Sequence, residues 1–209
     1  MQERRIVCFG DSNTWGYDAV TNGRFGRDVR YTGILQELLG EYIVVEEGLC
    51  GRTAVFEDPL NEGMNGLKYI VPCLQTHSRL EWLTIMLGTN DCKERFSATA
   101  QNIADGVRRL VRVAKSLDVW IDEPHILLIT PPPIKKECET SQVAGEMGIC
   151  SDKSHELARL YEIHAKSEGC YYLNAGDCSS MNDIDYMHLD AESHKKLAIR
   201  ISDIIKGRQ

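Results

Sequence analysis

No stretch of this sequence approaches the roughly 20 consecutive apolar residues of a membrane span, and its eight cysteines contain no C-x-x-C pair. The first absence removes a transmembrane helix, and the second argues against a zinc ribbon. A basic stripe interleaved with aromatics is also missing, and the net charge of −7 repels polyphosphates, so nucleic acid is excluded as a partner. The opening Met1-Gln2-Glu3-Arg4-Arg5 leads into only a short apolar run, Ile6 to Phe9, before Gly10. That run falls short of a signal-peptide core, which places the protein in the cytoplasm with its cysteines as free thiols, several of them buried. No internal repeat, low-complexity tract or Ser/Gly-rich linker divides the 209 residues, a length that suits one domain spanning residues 1–209.

What is present alternates. Short apolar, β-branched runs at Arg5–Phe9, Tyr42–Val45, Trp82–Leu87, His125–Thr130 and Tyr171–Leu173 have the length of strands. Between them lie helical patterns: Ile34, Leu35, Leu38 and Leu39; Ile103, Val107, Leu110, Val111 and Ala114; Leu157, Leu160, Tyr161 and His164 within 152–167; and Leu197, Ile201, Ile204 and Ile205. Strand–helix alternation predicts a mainly parallel sheet covered on both faces, because parallel neighbours need crossover connections. A three-layer α/β/α fold is the expectation. Two longer irregular segments, 52–65 and 131–149, follow the second and fourth strands, where functional loops belong.

In such a sheet, ligands sit beyond the carboxyl ends of the strands. The first strand delivers Asp11-Ser12-Asn13 there, the second Gly48-Leu49-Cys50-Gly51, and the third Gly88-Thr89-Asn90-Asp91. Near the other terminus Asp185 precedes His188 by three residues, a spacing that lets an acid and an imidazole meet across one turn. Asp183 and Asp190 compete with Asp185 for that partnership. A serine hydroxyl becomes a nucleophile when a base takes its proton, and the base works best when a carboxylate fixes its tautomer. Ser12, His188 and Asp185 supply those three types. The backbone N–H groups of Ser12 and Gly51 and the Asn90 amide are candidate donors to an oxyanion, Gly51 having no Cβ to block close approach. Trp15 and Tyr17 are candidate walls of the substrate pocket, and Asp11 a brace for the turn. His77, His125, His155, His164 and His194 have no matching partner pattern and read as structural or surface residues. The G-x-S-x-G elbow of α/β-hydrolases is absent. A rival reading from another class is a flavodoxin-like mononucleotide-binding module, with Ser12, Asn13, Thr14 and Gly16 cradling a phosphate; it gives Asp185 and His188 no task.

Taken together, "FGDSN", "GLCGRT", "LGTND" and "DYMH" resemble the separated blocks of the SGNH, or GDSL-like, hydrolase superfamily, in order and over nearly the whole chain. "DVRYTGILQELLG", "VEEGLCGRT", "CLQTH" and "IMLGTND" resemble more narrowly its bacterial arylesterase/acyltransferase branch. The resemblance implies a flavodoxin-like five-stranded sheet, cleavage of short-acyl esters of small molecules with no metal and no cofactor, and homo-oligomers. Acyl transfer to alcohols, or action on acyl-thioesters, lysophospholipids or acetylated sugars, belongs to the same range. Asn13 stands where the eponymous tetrapeptide has Leu, and Glu46 and Glu47 where some members carry Asn.

Overall fold

The computed structural model describes residues 3–207. Five parallel strands form the central sheet: β1 (Arg5–Gly10), β4 (Ile43–Gly48), β5 (Leu80–Met86), β6 (Trp120–Thr130) and β7 (Tyr171–Asn174). A two-stranded antiparallel hairpin, β2 (Tyr17–Asp18) and β3 (Gly23–Arg24), stands apart. The spatial order β4-β1-β5-β6-β7 is the flavodoxin-like arrangement, in which the winding reverses beside the first strand.

The period-two burial of the strands splits the core in two. Val7, Phe9, Leu83, Ile85, Ile126 and Leu128 face α3 (Gly66–Thr76), α4 (Ala100–Lys115) and α6 (Ser151–Glu168). Ile6, Cys8, Trp82, Met86, Leu127 and Ile129 face α2 (Tyr31–Leu38) and α7 (Ala191–Lys206). Two short helices complete the chain, α1 (Ser12–Trp15) and α5 (Ala144–Met147). Among the described residues no helix is long and apolar enough to cross a membrane, and all eight cysteines are free, four of them in the α4/α6 side of the core.

The five strands expected from sequence are present. β6 starts at Trp120, earlier than His125, because its first half runs past the core with Asp122 and Glu123 exposed. α3 was not foreseen: Pro72 lies inside it and reads as a breaker. Its entry is fixed by Asn65, whose side chain accepts from the Leu67 and Lys68 N–H groups. The segment 131–149 holds a 3₁₀ turn, Lys136–Thr140, and α5. A Cβ at Gly48 would lie 2.1 Å from the Trp15 nitrogen, so glycine there lets α1 rest against the end of β4.

α2 and α7 are joined by His194, whose Nδ1 accepts from the Tyr31 N–H at 3.2 Å. The ring is neutral as a result, and burial pushes its pKa from the ordinary 6.5 down to about 4. The folded pKa is depressed, so the stability it contributes is present above pH 6.5 and is lost as pH falls towards about 4. Urea midpoints measured across that window should fall more steeply for the native chain than for His194→Gln, which keeps an acceptor but cannot take a proton. The difference should be on the order of 3 kcal/mol; parallel curves would remove His194 as the source.

Candidate active site

β1 ends at Gly10, and Asp11 turns the chain into α1 by accepting from the Asn13 N–H through Oδ1 at 2.9 Å. Gly16 closes this single turn in the left-handed region at φ +89. Ser12 is thereby presented at the helix start, beyond the carboxyl edge of the sheet. His188 Nε2 lies 2.8 Å from Ser12 Oγ, and His188 Nδ1 lies 2.7 Å from Asp185 Oδ2. An ionised carboxylate only accepts, so Nδ1–H donates to Asp185 and Nε2 accepts from the Ser12 hydroxyl.

The short spacing of Asp185 and His188 works because Asn182 winds the loop between them. Its Oδ1 accepts from the Ile184 and Asp185 N–H groups at 2.7 and 2.9 Å. Its Nδ2 donates to Asp185 Oδ1 at 3.0 Å and to the His188 carbonyl at 2.9 Å. Tyr186 takes up a left-handed φ of +67 to complete the turn. Asp185 Oδ1 also accepts from the Met187 and His188 N–H groups, each at 3.2 Å. Burial alone would raise this carboxyl, but the His188 hydrogen bond and charge and these donors hold it below the usual range. The competing acids are engaged elsewhere: Asp183 pairs with Lys135 at 2.6 Å on the surface, and Asp190 caps α7 by accepting from the Ser193 N–H.

Across from this relay are three N–H donors. Among the described residues the Ser12 and Gly51 N–H groups have no acceptor. Gly51 adopts φ +87, where side chains are rare, and a Cβ there would come within 3.2 Å of Met64 Sδ. Asn90 opens a 3₁₀ turn after β5 and donates one amide hydrogen to the Arg52 carbonyl at 3.2 Å, leaving the other uncommitted. Arg52, 2 % exposed, donates through Nη1 to the Gly10 carbonyl at 3.0 Å and to the Glu47 carbonyl. Its guanidinium lies over the Phe9 ring at 4.2 Å. One buried cation therefore ties together the ends of β1 and β4 and the chain segment that steers Asn90.

A cavity of about 180 Å³ opens onto Ser12, Gly51, Asn90 and His188, walled by Tyr17, Cys50, Val143, Glu146 and Met187. The Tyr17 ring lies 4.4 Å from the His188 ring, tilted by 37°. Trp15 does not line this cavity. Arg24 from β3 covers its ring at 5.1 Å and donates to its carbonyl at 2.7 Å. Cys50 is exposed at the rim, whereas Cys92 is buried in the core beside α6. A phosphate cradle at α1 is not available either: Thr14 Oγ1 bonds the Tyr31 hydroxyl at 3.0 Å, and the Asn13 amide is engaged.

That engagement is the feature sequence reasoning missed. Asn13 Oδ1 accepts from the Leu189 N–H at 2.9 Å, and Nδ2 donates to the Met187 carbonyl at 3.3 Å. The carboxamide next to Ser12 thus grips the backbone on both sides of His188. The replacement of Leu at this position was the visible signal. Asn182 and Arg52 carried no comparable mark. Asn13→Leu strands a buried N–H and a buried C=O, each costing about 1–3 kcal/mol. Urea denaturation should show that loss in full for Asn13→Leu and in part for Asn13→Asp, which keeps the Leu189 contact; unchanged stability in Asn13→Leu would refute the clamp.

Among curated proteins none matches the chain. Solved structures do. A carbohydrate acetylesterase family member from Sinorhizobium meliloti superposes with a TM-score of 0.91 at 32% identity over 98% of each chain. A carbohydrate acetylesterase from the same organism gives 0.90 at 34% identity over 99% of this chain and 100% of that one. The M. smegmatis aryl esterase gives 0.88 at 33% identity over 98% and 99%. The profile of the GDSL-like lipase/acylhydrolase family matches residues 8–196, which include Ser12, Gly51, Asn90, Asp185 and His188. The chain belongs to the GDSL-like lipase/acylhydrolase family and is a carboxylic ester hydrolase.

Proposed function

We propose that the protein is a serine esterase for short-acyl, acetyl-type esters that works through an acyl-Ser12 intermediate. The observation that carries this reading is the hydrogen-bonded relay Ser12–His188–Asp185, with contacts of 2.8 and 2.7 Å, facing two unengaged backbone N–H groups. As Ser12 Oγ attacks the acyl carbon, His188 Nε2 takes its proton, and Asp185 stabilises the imidazolium that results. Charge moves onto the former carbonyl oxygen, where the N–H groups of Ser12 and Gly51 and the free Asn90 amide hydrogen receive it. Collapse of that intermediate breaks the ester C–O bond, and the leaving alcohol takes the proton back from His188. Water, or a second alcohol, then repeats the sequence on the acyl-enzyme. An alcohol acceptor makes the reaction an acyl transfer.

The preference for short acyl groups rests on space. A cavity of about 180 Å³ is below the roughly 300–1,000 Å³ that encloses a drug-sized ligand, and an acetyl group needs little of it. The names of the two Sinorhizobium meliloti relatives support an acetyl group as the acyl part. On the alcohol side, the exposed Glu146 carboxylate, which also accepts from Lys93, and the Tyr17 oxygen, whose O–H donates to Asn22, can each accept a hydrogen bond from a hydroxylated leaving group. That feature favours a sugar or other polyol ester over a long-chain lipid.

A fluorophosphonate probe should modify the native chain at Ser12 alone, and Ser12→Ala should fold and remain unlabelled; mass mapping to another serine would overturn the nucleophile. In the same series Asn90→Ala should still label, slowly, with kcat reduced about 10²–10³-fold, or roughly 3–4 kcal/mol, as expected when one oxyanion donor is removed. KM should change little, because the contact strengthens only in the transition state. A panel of p-nitrophenyl esters, varied in acyl length alone, should show kcat/KM highest at acetyl to butyryl. Faster turnover of octanoyl or longer esters would defeat the short-acyl assignment.

A further inference from the structure

α3 presents Tyr69 and Cys73 four residues apart, on one face, and its C-cap His77 follows at the same spacing. Cys73 and His77 turn towards one carboxylate, that of Glu47 near the end of β4. His77 Nε2 lies 2.7 Å from Glu47 Oε1. The donor atoms of Glu47, Cys73 and His77 all lie within 4.8 Å of one another. Cys73 is buried, while Glu47 and His77 are half-buried, which leaves a path from solvent. Packing accounts for the burial of Cys73, but the ester-cleaving relay uses none of these three groups.

We infer that Glu47, Cys73 and His77 form a binding site for a thiophilic divalent cation of the zinc class, separate from the Ser12 site. The ligand set selects the metal: thiolate and imidazole favour zinc over calcium or magnesium, which take oxygen ligands. Three protein ligands leave a fourth, tetrahedral position for water. With bonds of about 2.0–2.3 Å the ligand atoms must sit roughly 3.3–3.6 Å apart; His77 Nε2 and Glu47 Oε1, now 2.7 Å apart, must open and the Cys73 separations must close, adjustments that side-chain rotation at half-buried Glu47 and His77 can supply. On binding, the thiol proton leaves to solvent and the sulfur lone pair replaces it with the metal bond. The His77 proton moves to Nδ1, which frees Nε2 to ligate, and Glu47 exchanges its hydrogen bond for the cation. Arg52 is the nearby cation that could oppose this, but it gives its Nη1 donor to main-chain carbonyls and lays its guanidinium over the Phe9 and Tyr69 rings. The Glu47 side chain is left to the face of α3.

Co²⁺ serves as the spectroscopic stand-in for Zn²⁺, because a bound thiolate gives it a charge-transfer absorption in the near ultraviolet. Titration of the full chain should develop that band to one equivalent, and Zn²⁺ should displace it. The band should survive in Cys50→Ser, which removes the exposed thiol at the Ser12 cavity, and vanish in Cys73→Ser. His77→Ala alters a side chain that is 26% exposed and so tests the site without disturbing the core. It should weaken Zn²⁺ by more than the roughly 10- to 100-fold that loss of an outer-sphere partner costs. Absence of the band in the native chain, its loss in Cys50→Ser instead, or unchanged affinity in His77→Ala would overturn the assignment.

Discussion

Gly10 stands level with Gly48 on one side and Met86 on the other, because β1 is paired in parallel register with both β4 and β5. That alignment is the constraint on which the site depends. Three chain segments leave the sheet at one height and one edge, where the winding reverses, and each needs only a tight turn to reach the same point in space. Ser12, Gly51 and Asn90 follow from it. The fourth segment arrives from far away in sequence, and the contact that secures it is not only the Ser12–His188 hydrogen bond. Asn13, one residue further along the same turn, bonds the backbone before and after His188, so the imidazole is positioned by the element that carries its partner.

Buried charge around the site is sorted by hydrogen bonding. Asp185, Asp11 and Asp91 are all buried, yet they diverge. Asp185 is held low because donors and His188 reach both of its oxygens. Asp11 is pushed up to about 6 and Asp91 to about 7 by burial. In each of the latter, one carboxylate oxygen has no hydrogen-bond partner among the described residues. Asp11 braces α1 and Asp91 braces the chain at Ala54, and both tasks require a single acceptor oxygen. Folded carboxyls raised in this way contribute stability at low pH that is lost as pH rises through about 6 to 7. The turns that frame Ser12 and Asn90 are thus under more electrostatic load at neutral pH than the acid that orients His188.

The sequence made the sheet legible because buried parallel strands must be short, apolar and β-branched, and it made the four blocks legible because their chemistry admits few residue types. What it hid has physical reasons. Pro72 disguised α3, although a helix tolerates proline when its neighbours pack well, as Ile70, Cys73 and Leu74 do here. The hairpin β2–β3 is too short to show a period, and it is this hairpin that brings Arg24 over Trp15. Tyr17, two residues later, faces His188 instead. Asn13 showed in the sequence only as a departure from Leu, without its role, because its partners, Met187 and Leu189, lie at the far end of the chain. Side chains that act through distant backbone leave no local pattern.

Glu146 carries a consequence for anyone who would reshape the cavity. It is 56% exposed at the rim, yet its carboxylate is the 2.6 Å partner of Lys93, whose side chain is 1% exposed. The next carboxylate, that of Asp58, stands 4.0 Å from the same ammonium and is shared with Arg95. A rim position that looks free to vary is therefore the nearest counterion of a fully buried lysine, and breaking that pair leaves the ammonium only Asp58, at 4.0 Å and shared with Arg95. Val143, on the same wall and without a charge to balance, is the position from which a library altering substrate preference should begin.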